Sequence, residues 1–243
     1  VKSEVEKLLC SGKVFNFDLE INMYRNNLQA KVIKVLPVSQ NDIDMLDYVS
    51  ASPIPRDILR ENVGDAVNMI KNDNISRIVI AMLNYYDNDV YIYPAASKIH
   101  HNFIGGLATH MSGMIKLANA LCDIYPSANR DYLLAGVILH DLGKIEEFVS
   151  PFVSEYSVQG KLLGHISIMD ARLLEVGKQL KLEDSEELML LRHMILAHHG
   201  QHEYGSPVLP ETLEAELLTY IDNIDAKVEI INKALDSAKR DNI

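Results

Sequence analysis

The stretch VILHDLGK, residues 137–144, sets an imidazole and a carboxylate side by side at the end of an apolar run. His140 and Asp141 close the stripe of Leu133, Leu134, Val137 and Ile138, where packing alone would favour Leu or Ala. A buried polar group without a partner costs roughly 2–7 kcal/mol, and an unpaired charge more. Asp141 therefore needs either a local cap or salt bridge, for which Lys144 stands three residues on, or a cation.

All nine histidines lie between residues 100 and 202. His110 shares an apolar helical stripe with Leu107, Met111, Met114 and Ala118; taken alone, such a histidine is more often a core residue satisfied by one hydrogen bond. His165 follows GKLLG and opens a helix, while His198 and His199 close the helix SEELMLLRHMILAHHG. Helix ends are where side chains can converge on a cleft. His193 and His202 read as surface residues. Asp222 flanks the stripe Leu217, Ile221, Ile224 and Val228, and Asp225 shares its side of the helix. An acidic residue beside a stripe is normally a solvated edge. Individually these readings are weak. Together they put imidazoles and carboxylates on different helices, each at or beside an apolar face, which is how metal sites in helix bundles are assembled. The donor mix, without thiolate, suits Mn²⁺, Fe²⁺, Mg²⁺ or Zn²⁺.

The elements that must position these residues fall into two zones. From Val14 to Val38 apolar and polar residues alternate, Phe15, Phe17, Leu19, Ile21 and Met23 against Asn16, Asp18, Glu20 and Asn22, which predicts a half-buried strand. The turn residues RNN (25–27) and the resumed alternation at Leu28, Ala30 and Val32 make it a β-hairpin. The breaker SASPIPRD (50–57) separates it from a region with helical periodicity. Helices are expected at about 56–71, 75–87, 102–125, 130–142, 165–180, 185–199 and 210–237, with a short hairpin or loop over 151–164. Pro210 and Glu211 suit a helix first turn, and Gly143 reads as a helix breaker.

The 243 residues are 48% hydrophobic and carry a net charge of −11. Such a balance excludes broad, non-specific wrapping of nucleic acid, but not entry of one end into a metal-lined pocket, where bound cations dominate the field. Cys10 and Cys122, far apart, form neither a disulfide framework nor a thiolate zinc site, and a cytoplasmic location fits. No apolar run approaches the ~20 residues of a membrane helix, and no signal peptide is seen. An exposed hairpin edge makes a homo-oligomer plausible.

The order H…HD…D resembles the HD-domain superfamily of metal-dependent phosphohydrolases, and the added histidines resemble its two-metal members. The stretches YPAASKIHHNFIGGLATH (93–110), GVILHDLGK (136–144), GKLLGHISIM (160–169), LAHHGQHEYGSP (196–207) and YIDNIDAK (220–227) are most similar to the YhaM-type 3′→5′ exoribonucleases, which join an OB-fold to an HD domain. YRNNLQAKVIKVLPVS (24–39) resembles the last strands of that OB-fold. The resemblance implies a mainly α protein: a partial OB-fold-like β segment over 1–50 and an HD-domain helical bundle over 51–243. It implies two divalent cations, Mn²⁺ or Fe²⁺ ahead of Mg²⁺ and Zn²⁺. His110, His140, Asp141 and Asp222 would hold one, with Asp141 bridging to a second at His165 and His198 or His199. Lys144 would face the phosphate beside Asp141 as the second catalytic residue, its alternative being a surface lysine paired with Glu146 or Glu147. His100, His101, Tyr204 and Ser206 are expected to contact substrate.

The activity so implied is removal of nucleotides from the 3′ end of single-stranded RNA, or DNA, as nucleoside 5′-monophosphates. Two other readings compete: a phosphohydrolase of small nucleotides, which suits the acidic charge, and a non-catalytic nucleic-acid-binding or assembly module.

Overall fold

The computed structural model describes residue 9 and residues 12–97 and 101–240. Its contacts divide the chain into two compact units, one ending at Val49 and the other beginning at Ser50.

The first unit is built on strands β1 (Phe15–Tyr24) and β2 (Asn27–Pro37), paired antiparallel with Tyr24 opposite Asn27. Arg25 and Asn26 turn the chain with φ of 49° and 62°, the doubly left-handed turn whose twist matches that of the flanking strands. At the open end, the Gln40 side chain bonds both the N–H and the C=O of Val14, at 3.0 and 2.8 Å. The predicted half-buried face is not realised: Leu19, Ile21 and Met23 are exposed. A two-stranded ribbon has no second layer to bury them against.

The second unit is helical. Helix α1 (Arg56–Met69) follows Pro55, and α2 (Asp73–Tyr86) starts where Asn72 accepts from the Ile75 N–H. Next come α3 (Gly106–Ile124), α4 (Arg130–Leu139) and the single turn α5 (Lys144–Glu147). A small hairpin of β3 (Phe148–Ser150) and β4 (Val153–Tyr156) leads into α6 (Val158–Leu180), α7 (Glu186–Ala197) and α8 (Leu213–Arg240). Asn129, Ser157 and Ser185 cap α4, α6 and α7 through their side-chain oxygens; such caps are typically worth about 1 kcal/mol each. Helix α4 is the axis of the bundle. Every residue from Leu133 to Leu139 is buried, as expected of a helix that is apolar all round, and α1, α2, α3, α7 and α8 pack around it. The His140–Asp141 pair thus leaves the end of the most enclosed helix.

Four expectations are corrected. Helix α6 begins at Val158, not 165, and bends at Gly164 (φ 71°), so the short hairpin or loop expected over 151–164 is a hairpin that ends at Tyr156. Gly160 permits this, because a Cβ there would lie 2.2 Å from the Glu147 carbonyl oxygen. Helix α3 starts at Gly106 rather than 102, after Gly105 at φ 75°. Helix α8 starts at Leu213, where Thr212 Oγ1 accepts from the Ala215 N–H; Pro210 does not open it, and the Glu211 N–H is taken by His193 Nε2. Gly143 is no breaker: it has helical φ and ψ, and its bare Cα admits the His165 carbonyl, which would lie 2.3 Å from a Cβ.

Candidate metal centre

Helices α3, α4, α6, α7 and α8 all deliver side chains to the carboxylate of Asp141. His110 comes from the second turn of α3, and His140 and His198 are the residues that cap the C-termini of α4 and α7. His165 follows the bend in α6, His199 follows His198, and Asp222 lies on α8. The cluster is deep: His110 and His198 are 0% exposed, His140 1% and Asp141 2%.

One rule orients all five rings. In each, Nδ1 meets an acceptor: Asp225 for His110 at 2.7 Å, the Val137 carbonyl for His140 at 2.9 Å, and Glu147 for His165 at 3.1 Å. The Ile195 and Tyr204 carbonyls serve His198 and His199, both at 2.7 Å. A carbonyl or an ionised carboxylate can only accept, so Nδ1 carries the proton and, in a neutral ring, Nε2 presents a lone pair.

Those Nε2 atoms face Asp141 from two sides. Oδ2 lies 3.3 Å from His140 and 3.9 Å from His110, and His110 Nε2 is also 3.2 Å from Asp222 Oδ1. Oδ1 lies 3.5 Å from His165 and 3.9 Å from His198. The donor atoms of His110, His140 and Asp222 lie within 4.8 Å of one another, and so do those of His165, His198 and His199. Lone pairs and carboxylate oxygens pointed at each other repel unless a proton or a cation lies between them. The Nε2 atoms of His140, His165 and His198 and Oδ1 of Asp141 are buried without a hydrogen bond among the described residues, and buried polar groups are rarely left so. The donor set therefore fits divalent cations.

The titration behaviour follows. Burial would raise the Asp141 carboxyl, but Lys144 and His140 hold it well below the usual carboxylate range. Burial likewise opposes the charged form of Asp222, yet His110 keeps it ionised. Burial would lower His110, but Asp222 and Asp225 raise it to about 9. His198 and His199 are pushed down, by burial first and then by neighbouring imidazoles, so they stay neutral.

Lys144 is drawn inward, its Nζ 2.6 Å from Asp141 Oδ2, rather than sitting on the surface with Glu146 or Glu147. Of the expected substrate contacts, His100 lies outside the described residues. His101 is buried, with Nε2 2.8 Å from Asp225. The Tyr204 side chain is exposed, its carbonyl being the part that holds His199; Ser206 is buried, with its C=O on His202 Nδ1. Two acidic residues not expected from the sequence stand behind the centre. Asp225, which reads as a solvated edge, carries His110; the i,i+3 spacing from Asp222 was the available signal. Glu147 accepts from both the ring and the backbone N–H of His165, a role with no signature in the sequence.

A helical bundle that turns imidazoles and carboxylates inward on an HD pair has the architecture of the HD domain, and residues 107–227 match the model of that family. Across 221 residues, 90% of this chain and 70% of the relative, the chain is 43% identical to the 3′-5′ exoribonuclease YhaM of Bacillus subtilis (strain 168). It is 43% identical to that of Bacillus licheniformis over the same shares, and 42% identical to that of Geobacillus sp. (strain WCH70) over 68% of the relative. No solved structure matches it significantly. The chain belongs to the YhaM family of HD-domain exoribonucleases.

Proposed function

We propose that this chain is a metal-dependent 3′→5′ exoribonuclease that hydrolyses the terminal phosphodiester of single-stranded RNA and releases nucleoside 5′-monophosphates. One observation carries the reading: the two oxygens of Asp141 face two separate sets of imidazoles, as a carboxylate shared between two cations would. His110, His140, Asp141 and Asp222 would hold one divalent ion. His165, His198 and His199 would hold the second, with Asp141 available to both. These nitrogen and oxygen donors suit Mn²⁺, Fe²⁺, Mg²⁺ or Zn²⁺, and the family resemblance puts Mn²⁺ or Fe²⁺ first. When bound, two such ions polarise the phosphoryl oxygens and lower the pKa of water toward neutrality.

The protein's own groups do the rest. The Nδ1 anchors fix each ring before substrate arrives, so little reorganisation is needed during reaction. Asp141, kept ionised, accepts but does not donate. Lys144, now paired with Asp141 Oδ2 at 2.6 Å, is the cation beside the centre that would stabilise charge on the non-bridging oxygens of the scissile phosphate. For a chain of charge −11, cations held there would also offset the repulsion that a polyanion meets. Among the described residues no helix is long and apolar enough to cross a membrane.

The test is to quantify metal in the purified chain and offer 5′-labelled RNA beside free nucleotides with Mn²⁺. A ladder of 3′-shortened RNA is expected. Hydrolysis of nucleotides with RNA untouched would move the assignment to a small-nucleotide phosphohydrolase, and oligonucleotide binding without metal or turnover to a binding module. Lys144→Met should retain both ions while kcat falls by about 10²-fold; unchanged kcat would remove the lysine from the reaction.

A further inference from the structure

The strongest feature outside the cation-facing groups lies behind His110. One oxygen of Asp225, Oδ2, meets His110 Nδ1 at 2.7 Å and His101 Nε2 at 2.8 Å. It is an acceptor only, so both ring nitrogens must donate.

The surroundings are shaped to admit this arrangement. Gly113 lies on α3 one turn beyond His110, and a Cβ there would come 2.3 Å from Asp225 Oδ1. At the head of the same helix, a Cβ on Gly106 would come 1.9 Å from the carbonyl oxygen of His101. That carbonyl also accepts from the Ala95 N–H, and His101 itself sits at φ 46°, a strained conformation for a residue with a side chain. Two gaps on the face of α3 thus let in one carboxylate from α8 and one loop from the chain preceding α3. A carboxylate left to solvate itself would need neither gap.

We infer that Asp225, steadied by His101, is a positioning residue of the metal centre. It fixes the tautomer and tilt of His110 so that Nε2 points at Asp141 and Asp222, and Gly113 is the space that makes this possible. Asp222 and Asp225, three residues apart on α8, then take complementary roles, the first facing the ion and the second facing the ring that binds it. A hydrogen-bonded carboxylate of this kind makes an imidazole more basic and better oriented, and removing one typically weakens metal binding 10–100-fold. The inference rests on His110 being a ligand, as proposed above.

The experiment titrates the full chain with Mn²⁺ and counts free ion by electron paramagnetic resonance, comparing wild type with Asp225→Asn and Gly113→Ala. Asparagine can offer one oxygen to both rings but not the negative charge that makes His110 more basic. Alanine at 113 pushes the carboxylate away while leaving every polar group in the protein. Expected are two ions in the wild type and, in both variants, one site weakened 10–100-fold with the other unchanged. Nitrogen-15 spectra of the histidines after chelation, recorded at a pH alkaline enough to leave the rings neutral, should show the His110 proton on Nδ1 in the wild type and redistributed between its nitrogens in Gly113→Ala. That signature is one that general loosening of α8 would not produce selectively. If Asp225→Asn does not fold, Gly113→Ala carries the test. A wild type that binds no Mn²⁺ overturns the reading of the site and this inference with it. A wild type with two ions, matched by variants of equal affinity and unchanged His110 spectra, overturns the inference alone.

Discussion

The two sides of the centre share Asp141 and are otherwise made differently. On one side His110, His140 and Asp222 come from α3, α4 and α8, with rings at most 1% exposed and a further carboxylate, Asp225, behind His110. On the other side Asp141 is the carboxylate that faces the imidazole Nε2 atoms, Glu147 stands behind His165, and the supports are less regular. His165 is 12% exposed just past the bend at Gly164, and His199 hangs on the carbonyl of Tyr204 in the segment that follows α7. Negative charge and enclosure favour retention of a cation, whereas neutral donors on less enclosed supports favour exchange. The first side should be the resident site. The second should be where substrate, ion and protein meet.

The largest effect is expected from removing what the sides have in common. Asp141→Asn should strip both ions and reduce RNA hydrolysis by about 10³-fold or more, with the far-ultraviolet circular dichroism of the bundle preserved. Retention of one tightly bound ion would mean that the sides are independent. Next comes the contrast between them. His110→Ala should release the tighter ion, and His199→Ala should leave it in place while weakening the other 10–100-fold; equal losses in metal titrations would erase the asymmetry. The smallest effect concerns the footing of the second side. The Arg172 guanidinium on α6 grips Glu146 on α5 through two bonds of 2.8 Å, and Tyr86 donates to the same carboxylate at 2.9 Å. Arg172 first, and Tyr86 with it, hold the Glu146 carboxyl below its ordinary 4.5 against the burial that would raise it. A lowered folded pKa contributes stability that is present above about 4.5 and is lost as the pH falls toward the folded value. Glu146→Gln should therefore cost about 1–2 kcal/mol at neutral pH and flatten acid denaturation below pH 4.5, both readable from urea melts at several pH values.

Much of the centre was readable in the sequence, and the limits have physical causes. His140 and Asp141 announced themselves because they interrupt an apolar run, and His198, His199 and His165 because they gather at helix ends. His110 and Asp222 gained meaning only in company. Asp225 and Glu147 stayed hidden: each looks like an ordinary charged residue until α8 crosses α3, or α5 meets α6, and burial turns it into a ring's partner. The bend at Gly164 and the inward course of Lys144 are tertiary outcomes of the same kind. The hairpin shows the opposite failure, in which period-two alternation named the strands correctly but promised a burial that two strands do not supply.

Two helices, α4 and α7, end at the centre, where His140 and His198 bend back onto the carbonyls of Val137 and Ile195. The C-terminus of a helix carries roughly half an elementary negative charge, so the backbone itself adds about one such charge to a pocket already lined with carboxylates. A phosphate arriving alone meets a repulsive field; a cation meets an attractive one. On the function proposed above, the direction of the two helices therefore favours one order of arrival: ion first, nucleic acid second.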